Sequence, residues 1–435
     1  MPLTEGAELK GEHGATYLAV SPLGQANVWT AVETTNDENK VVVVKEPDAN
    51  DAARGFPSFQ NEMVMHELLK DSKGVRQQRD RIPSTSPSEL PMLVLEITST
   101  TLWSARAKRP FTLPEIKEIA KGALVGLRDV HAQGLVYADL KMQNVMLDGF
   151  DANASPPEHD NTHDQSQRSP LRASLGDLGI VMEPMKGTVQ PVSYRAPEVY
   201  FKGDITPAAD IWGWGLIYCH LLEARQRFEY TGLYDSSGGT LKEREKATSE
   251  AVANDFGLHS DPSYSGIALP KNDVDKTAGD QWEVLRQRGL EAGEVSFLRW
   301  VLRADPKERP SAAQILSSGW LEKSEEEVAR GFMAPDGGAL EYESKPTTRE
   351  HANTEAPATQ TAPVEEGNEE PSAQTASVEK SNGGTGSAQM SQAAPSLTQR
   401  LKPSAGETVS FFAGEPGANF FAGRPSPFAS QDTST

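Results

Sequence analysis

One cysteine, Cys219, is all that 435 residues contain, so no internal disulfide can form and a cysteine-built zinc site is excluded. A reducing compartment is expected. Long apolar runs are scarce too. The longest, Ile211 to Leu222, is about a dozen residues, too short to cross a bilayer, and reads as a buried helix. The opening MPLTEGAELKGEHG has neither a basic n-region nor an apolar h-region, so no secretory signal is expected. Positive charge is in deficit: 42 Lys and Arg face 62 Asp and Glu, a net charge of −20. Phosphate backbones need a basic surface and anionic lipid a basic patch. Neither nucleic acid nor membrane is therefore an expected partner, and the expected location is intracellular, cytoplasmic or nuclear.

Hydrophobic residues reach only 37%, beside 36 Gly and 30 Pro, which points to a globular part diluted by a polar one. The composition shifts near Lys323. From 324 to 435, Glu, Pro, Ser, Thr, Gln, Gly and Ala dominate, and such a segment buries too little surface to offset its ordering entropy. A disordered acidic tail with about nine net negative charges is predicted there. Within it Phe411-Phe412-Ala413-Gly414 recurs as Phe420-Phe421-Ala422-Gly423. This repeat is either a tandem motif for a tail-binding partner or a tail end with no fixed role. Residues 151–174 and 235–278 are polar and read as surface insertions. In the first, His159 and His163, and Asp160 and Asp164, are four apart, but Pro156-Pro157 precedes them and a solvated loop is the reading over a metal site.

The remainder begins β-rich. Tyr17–Val20, Val28–Glu33 and Lys40–Lys45 carry β-branched residues between turn signals, with Asn36-Asp37-Glu38-Asn39 the clearest turn. Phe59–Lys70 has helical spacing, with Phe59, Met63, His66 and Leu69 or Leu68 on one side. Met92–Ile97 is another strand. Pro114–His131 is predicted as an amphipathic helix facing inward through Ile116, Ile119, Ala120, Ala123, Leu124, Leu127 and Val130. Helices then dominate, including 208–222 and 294–303. A β-rich unit followed by a helical one is an α+β layout of two lobes.

Chemistry concentrates in Val136-Tyr137-Ala138-Asp139-Leu140-Lys141-Met142-Gln143-Asn144. In phosphoryl transfer an Asp orients the attacking hydroxyl, a Lys neutralises the moving group and an Asn holds a metal. Leu175-Gly176-Asp177-Leu178-Gly179 adds a carboxylate suited to Mg²⁺. Each motif is weak alone. They are followed in order by Tyr194-Arg195-Ala196-Pro197-Glu198, Asp210-Ile211-Trp212-Gly213-Trp214-Gly215 and Arg303-Ala304-Asp305-Pro306-Lys307-Glu308-Arg309-Pro310. Taken together, the chain resembles the eukaryotic protein kinase family, serine/threonine type, over about residues 14–322.

The resemblance implies a bilobal fold, with a small lobe at 14–97 and a helical lobe at 98–322. It also implies ATP and Mg²⁺ as cofactors and protein substrates of unread identity. On matching positions it makes Asp139 the catalytic base, Lys141 the catalytic-loop lysine, and Asn144 and Asp177 the metal ligands. Lys45 becomes the phosphate-contacting strand lysine and Glu62 its ion-pair partner. Leu95 becomes the gatekeeper, with Glu96, Ile97 and Thr98 as a hinge meeting adenine through backbone groups. Val28, Val43 and Met146 line the base. Glu198, Asp210 and Arg309 take structural roles.

Two departures stand out. Ser21, Leu23 and Ala26 occupy the family's three glycine positions, and Pro22 lacks an N–H donor. Tyr137-Ala138 replaces His-Arg, so activation-segment phosphorylation is not the expected switch. The segment's only hydroxyls besides Tyr194 are Thr188 and Ser193. Pro191 or Ser193 falls near the position of a supporting threonine. An active serine/threonine kinase is the leading reading; a pseudokinase scaffold is the alternative, and a small-molecule kinase the third.

Overall fold

The computed structural model describes residues 3–35, 39–48, 55–86, 89–153, 170–228, 232–234, 238–271 and 280–335. The predicted turn at 36–38, the histidine pair at 159 and 163, and the Phe-Phe-Ala-Gly repeats lie outside these.

Strands β1 (Glu8–Lys10), β2 (Thr16–Leu23), β3 (Gln25–Glu33) and β4 (Val41–Lys45) come first, then helix α1 (Gly55–Leu68), β5 (Gln78–Ile82) and β6 (Met92–Glu96). They form one antiparallel sheet in the order β1-β2-β3-β4-β6-β5. Paired residues share a face. Trp29 opposite Val44, Ala31 opposite Val42 and Val44 opposite Val94 therefore build one face, which packs with Tyr17, Ala19 and Ile82. The other face sets Val28, Val43, Leu93 and Leu95 against Phe59 and Met63 of α1. Leu69, not Leu68, completes the buried side of that helix.

The helical lobe follows β7 (Thr100–Thr101) and α2 (Leu102–Arg106). It contains α3 (Leu113–Ala132), the strands β8 (Val145–Asp148), β9 (Arg172–Leu175) and β10 (Met185–Lys186), then α4 (Pro197–Phe201), β11 (Asp204–Ile205), α5 (Pro207–Gln226), α6 (Leu241–Asp255), α7 (Asp280–Gln287), α8 (Ala292–Val301), α9 (Ala312–Ser317) and α10 (Glu325–Ala329). Thr112 and Glu115 form a capping box at the start of α3, and all seven predicted inward residues are buried. Helix α5 is buried from Ala209 to Glu223, which explains an apolar run without a polar face. Trp214 of α5 donates from Nε1 to the Ala120 carbonyl at 3.0 Å, joining the two central helices.

The α+β, two-lobed layout is as predicted, but several boundaries differ. The sheet starts before residue 14: Glu8–Lys10 pair with Thr16–Leu18, and Leu3 is buried. Strand β5 was not expected, because its sequence QRDRI hides a buried polar network. Asp80 accepts from Tyr17 Oη at 3.1 Å and lies 2.8 Å from His13 Nδ1. The supposed insertion at 151–174 ends in β9. Much of that at 235–278 is also structural: α6 is capped by Thr240 and Glu243, and Ala253 packs with Leu258 and Tyr264. Residues 324–335, predicted as disordered tail, fold onto the helical lobe with Val328 buried. In each case, buried residues too sparse for a periodic signal settle the structure.

Candidate active site

The cleft between the lobes collects the charged residues singled out above. Lys45, at the end of β4, donates from Nζ to both carboxylate oxygens of Glu62 on α1, at 2.9 and 2.7 Å. It also reaches Asp177 Oδ1, just beyond β9, at 3.3 Å. Burial pulls the Lys45 pKa down, but the carboxylates of Asp177 and Glu62 overcome it and hold the ammonium charged. Lys45 in turn holds the Asp177 carboxyl below the usual carboxylate range. Glu62 moves the other way, because burial outweighs its lysine.

The loop between α3 and β8 supplies the second cluster. Lys141 Nζ donates to Asp139 Oδ2 at 2.9 Å, and Asn144 Nδ2 donates to the same oxygen at 2.8 Å and to the Asp139 carbonyl at 2.9 Å. Burial raises the Asp139 pKa, with Lys141 opposing. The loop is pinned from beneath by Asp210 at the start of α5. Its carboxylate accepts from the backbone N–H of Tyr137 at 2.7 Å and of Ala138 at 2.9 Å, and lies 2.9 Å from His131 Nε2. That support matters because Ala138 has φ +66°, a left-handed conformation costing a residue with a Cβ about 1–2 kcal/mol. Glu198 and Arg309 pair bidentately at 2.7 and 3.1 Å, both side chains fully buried.

A metal ion would find Asp177 ionised, and the Asn144 amide oxygen accepts no hydrogen bond from the described residues. Among those residues no group of three or more His, Cys, Asp or Glu side chains converges. Magnesium suits such a site, since it takes one or two protein ligands and completes its shell with phosphate and water.

Other contacts were not foreseen. Asn61 of α1 donates from Nδ2 to the carbonyls of Gly179 and Val181 at 3.1 and 2.9 Å, and Ser58 donates to Gly179 at 3.1 Å. These bonds tie α1 to the segment after Asp177 through neutral side chains. Gln190, at φ +92°, accepts from the Ala196 N–H and donates to the Ala209 carbonyl, both at 3.1 Å. Pro191 has no donor, and the Ser193 hydroxyl makes no hydrogen bond among the described residues. The loop before β5 brings Arg76 among the cleft carboxylates; burial lowers its pKa while Glu96, Glu62, Asp148 and Asp177 oppose. The hinge is also occupied. The Glu96 carbonyl accepts from Arg76 Nε at 2.8 Å, and its carboxylate accepts from the Gln77 N–H at 3.0 Å. Ile97 is 41% exposed.

Residues 17–321 match the protein kinase domain family. The chain belongs to the eukaryotic protein kinase family. Serine/threonine-protein kinase PKZ1 of Phytophthora infestans is 24% identical over 301 residues, covering 68% of this chain and 66% of that protein, just under two thirds of its length. A serine/threonine protein kinase of Aspergillus fumigatus is 26% identical over 281 residues, covering 57% and 69%. Mitogen-activated protein kinase HOG1B of Wallemia ichthyophaga is 30% identical over 147 residues, covering 33% and 34%.

This kinase departs from its family at the strand turn over the cleft. Strands β2 and β3 meet at Gly24, with Leu23 opposite Gln25 and φ +76° at the glycine. A single glycine turns the hairpin, while Pro22 withholds a backbone donor and Leu23 is 47% exposed. No helix among the described residues of this kinase is long and apolar enough to cross a membrane.

One residue behind Lys45 and Glu62 should make the fold acid-sensitive. His66 is buried, its Nε2 unpaired among the described residues and 4.0 Å from Glu62 Oε1. Burial, then the charges of Lys45 and Arg76, push its pKa down to about 3. The unfolded chain titrates near 6.5, so between these values it binds a proton that the folded chain refuses. Stability from this group is complete above about pH 6.5 and drains as pH falls, by roughly 4 kcal/mol at pH 3. Replacing His66→Leu should raise stability at pH 7 by about 1–3 kcal/mol by removing an orphan buried nitrogen. Melting curves at pH 7 and pH 5 check it: the variant should lose less on acidification than the wild type.

Proposed function

We propose that this kinase is active and transfers the γ-phosphoryl group of Mg²⁺-bound ATP to a serine or threonine hydroxyl of a protein. The observation that carries the reading is the shared geometry of Lys45, Glu62, Asp177, Asp139, Lys141 and Asn144 in one cleft. In this reading Asp139 orients the substrate hydroxyl and accepts its proton, which requires the ionised carboxylate. Lys141, 2.9 Å from Asp139, stands where charge develops on the transferred group. Lys45 grips the α- and β-phosphates, and Glu62 aims it. Magnesium, held by Asn144 and Asp177, would neutralise the phosphate oxygens. Val28, Val43, Leu95 and Met146 enclose the base, and Glu96 to Thr98 border it.

We also infer that Asn61 and Ser58 perform by hydrogen bonding what a phosphorylated segment does elsewhere, since Ala138 offers no cation to a phosphate. The buried free thiol of Cys219 fits a reducing intracellular compartment.

The test is transfer from labelled ATP with Mg²⁺ to a basic protein, comparing wild type with Asp177→Ala. Transfer should fall at least 100-fold in the variant, the order expected when one charge-stabilising group is removed. Equal transfer by both proteins, or none by well-folded wild type, defeats the reading. The second outcome would favour a pseudokinase, an alternative supported by Pro22 and the exposed hairpin tip above the cleft.

A further inference from the structure

The strongest unexplained feature of the cleft is Arg76. Its segment is laid along the end of β9: Leu175 donates its N–H to the Gly74 carbonyl, and Arg76 donates its own to the Leu175 carbonyl, each at 2.8 Å. The approach is close because Gly74 stands against Gly126 of α3; a Cβ on Gly74 would lie 2.1 Å from the Gly126 nitrogen. Side chains alternate along an extended segment. Val75 and Gln77 line a polar cavity of about 360 Å³ shared with Asp148 and Ser174. Arg76, between them, is turned away from both, and the carboxylates acting on it are those of Glu96, Glu62, Asp148 and Asp177. Its Nε reaches the hinge carbonyl of Glu96 at 2.8 Å.

The guanidinium is thus half engaged. Among the described residues its two terminal nitrogens have no acceptor, and no carboxylate lies within 4.0 Å of it. Arginine stays charged in proteins, so a partly buried fork of unused donors stands beside the Glu96 carbonyl, which borders the space where the proposed function seats a nucleotide base. An adenine presenting its amino group to the Glu96 carbonyl would have to share that oxygen with Nε and set a donor against donors. Guanine presents the reverse pattern. Its O6 and N7 are adjacent acceptors that a guanidinium fork meets bidentately.

We propose that Arg76 selects the base, and that the cleft binds a guanine nucleotide in preference to an adenine nucleotide. The inference rests on the nucleotide-binding reading of the cleft and ranks the donors within it: ATP remains a ligand, held more weakly than GTP. The preference set by one good bidentate contact is roughly 5- to 150-fold.

The experiment is equilibrium binding of GTP, ITP and ATP, each with Mg²⁺, to the full chain, with phosphate transfer measured in parallel. Wild type should bind GTP and ITP alike, since both carry O6 and N7, and ATP more weakly by the factor above. Arg76→Val should bring the three affinities together. Arg76→Lys keeps the charge but not the fork, and should lose most of the preference; a lysine variant that keeps all of it overturns the two-pronged contact. The same ratio of GTP to ATP in wild type and Arg76→Val overturns the proposal. So does a wild type that binds neither nucleotide while Arg76→Val binds ATP, because Arg76 would then be a plug. Binding is read without turnover: guanine preference with no transfer from either nucleotide keeps this inference and removes the active-kinase reading instead.

Discussion

Replacing Arg309→Leu is expected to cost about 3–5 kcal/mol, the order found when one partner of a buried ion pair is removed. The Glu198–Arg309 pair has no solvent-exposed side-chain surface, so the abandoned carboxylate would be desolvated without another ion-pair partner among the described residues. The guanidinium does more than neutralise charge. It donates to the carbonyls of Ala208 at 2.6 Å and Arg303 at 2.9 and 3.1 Å, and its Cζ lies 5.1 Å from the Trp212 ring centre. One planar fork thereby joins α4, the start of α5 and the loop before α9. Lysine offers three donors on a point charge and cannot serve these acceptors together, so Arg309→Lys should recover less than half of the loss. Removing both charges, Glu198→Leu with Arg309→Leu, should be milder than Arg309→Leu alone, since desolvation rather than lost attraction dominates. Denaturant unfolding of the three variants checks the order. A double variant less stable than Arg309→Leu would show that the carbonyl contacts matter more than the pair.

The distribution of what sequence could reveal follows from the range of each interaction. Helix α3 was legible because one stripe of apolar residues repeats over five turns, and α5 because its apolar run is continuous. Asp139, Asn144 and Asp177 stood out through short motifs in a fixed order, Lys45 and Glu62 only through the resemblance those motifs carry, and the fold brings the five side chains within hydrogen-bonding reach in two clusters. Three kinds of feature escaped. Strand β1 is three residues long, below any periodic signal. Strand β5 reads as polar because Asp80 and Arg81 are buried among partners distant in sequence, such as Tyr17 and Met63. Arg76 and Asn61 look like ordinary surface residues until the loop and α1 place them in the cleft. A cue did exist for Arg76: it stands between Val75 and Gln77 on an extended segment, so it must face opposite to them. No local rule indicated which side was the cleft.

The other large effect concerns residues 324–335, which composition assigned to a tail. Here local signals and packing pull in different directions. Three glutamates in succession lower mean hydropathy, yet they begin a helix whose Ser324 and Glu327 form a capping box. Val328 and Phe332 follow, four apart, and both pack on the lobe. Val328 is 1% exposed, and its carbonyl approaches Gly293 so closely that a Cβ there would lie 2.2 Å away. Phe332 places its ring 5.2 to 5.3 Å from those of Phe297, Trp300 and Trp320. Lysines fasten the join: Lys117 of α3 donates to the Lys323 carbonyl, and Lys323 Nζ donates to the Gly331 carbonyl at 3.2 Å. Losing the Phe332 ring should therefore cost about 2–4 kcal/mol, transfer and cavity contributions together with the aromatic contacts. A chain ending at Lys323 loses Val328 as well and uncovers Trp320, which outweighs the ordering entropy released by twelve residues only if the packing is cooperative. We expect that it is. The chain ending at Lys323 should melt below Phe332→Ala, and both should melt below a chain ending at Pro335. Equal melting of the chains ending at Lys323 and Pro335 would return the segment to the tail that its composition suggests.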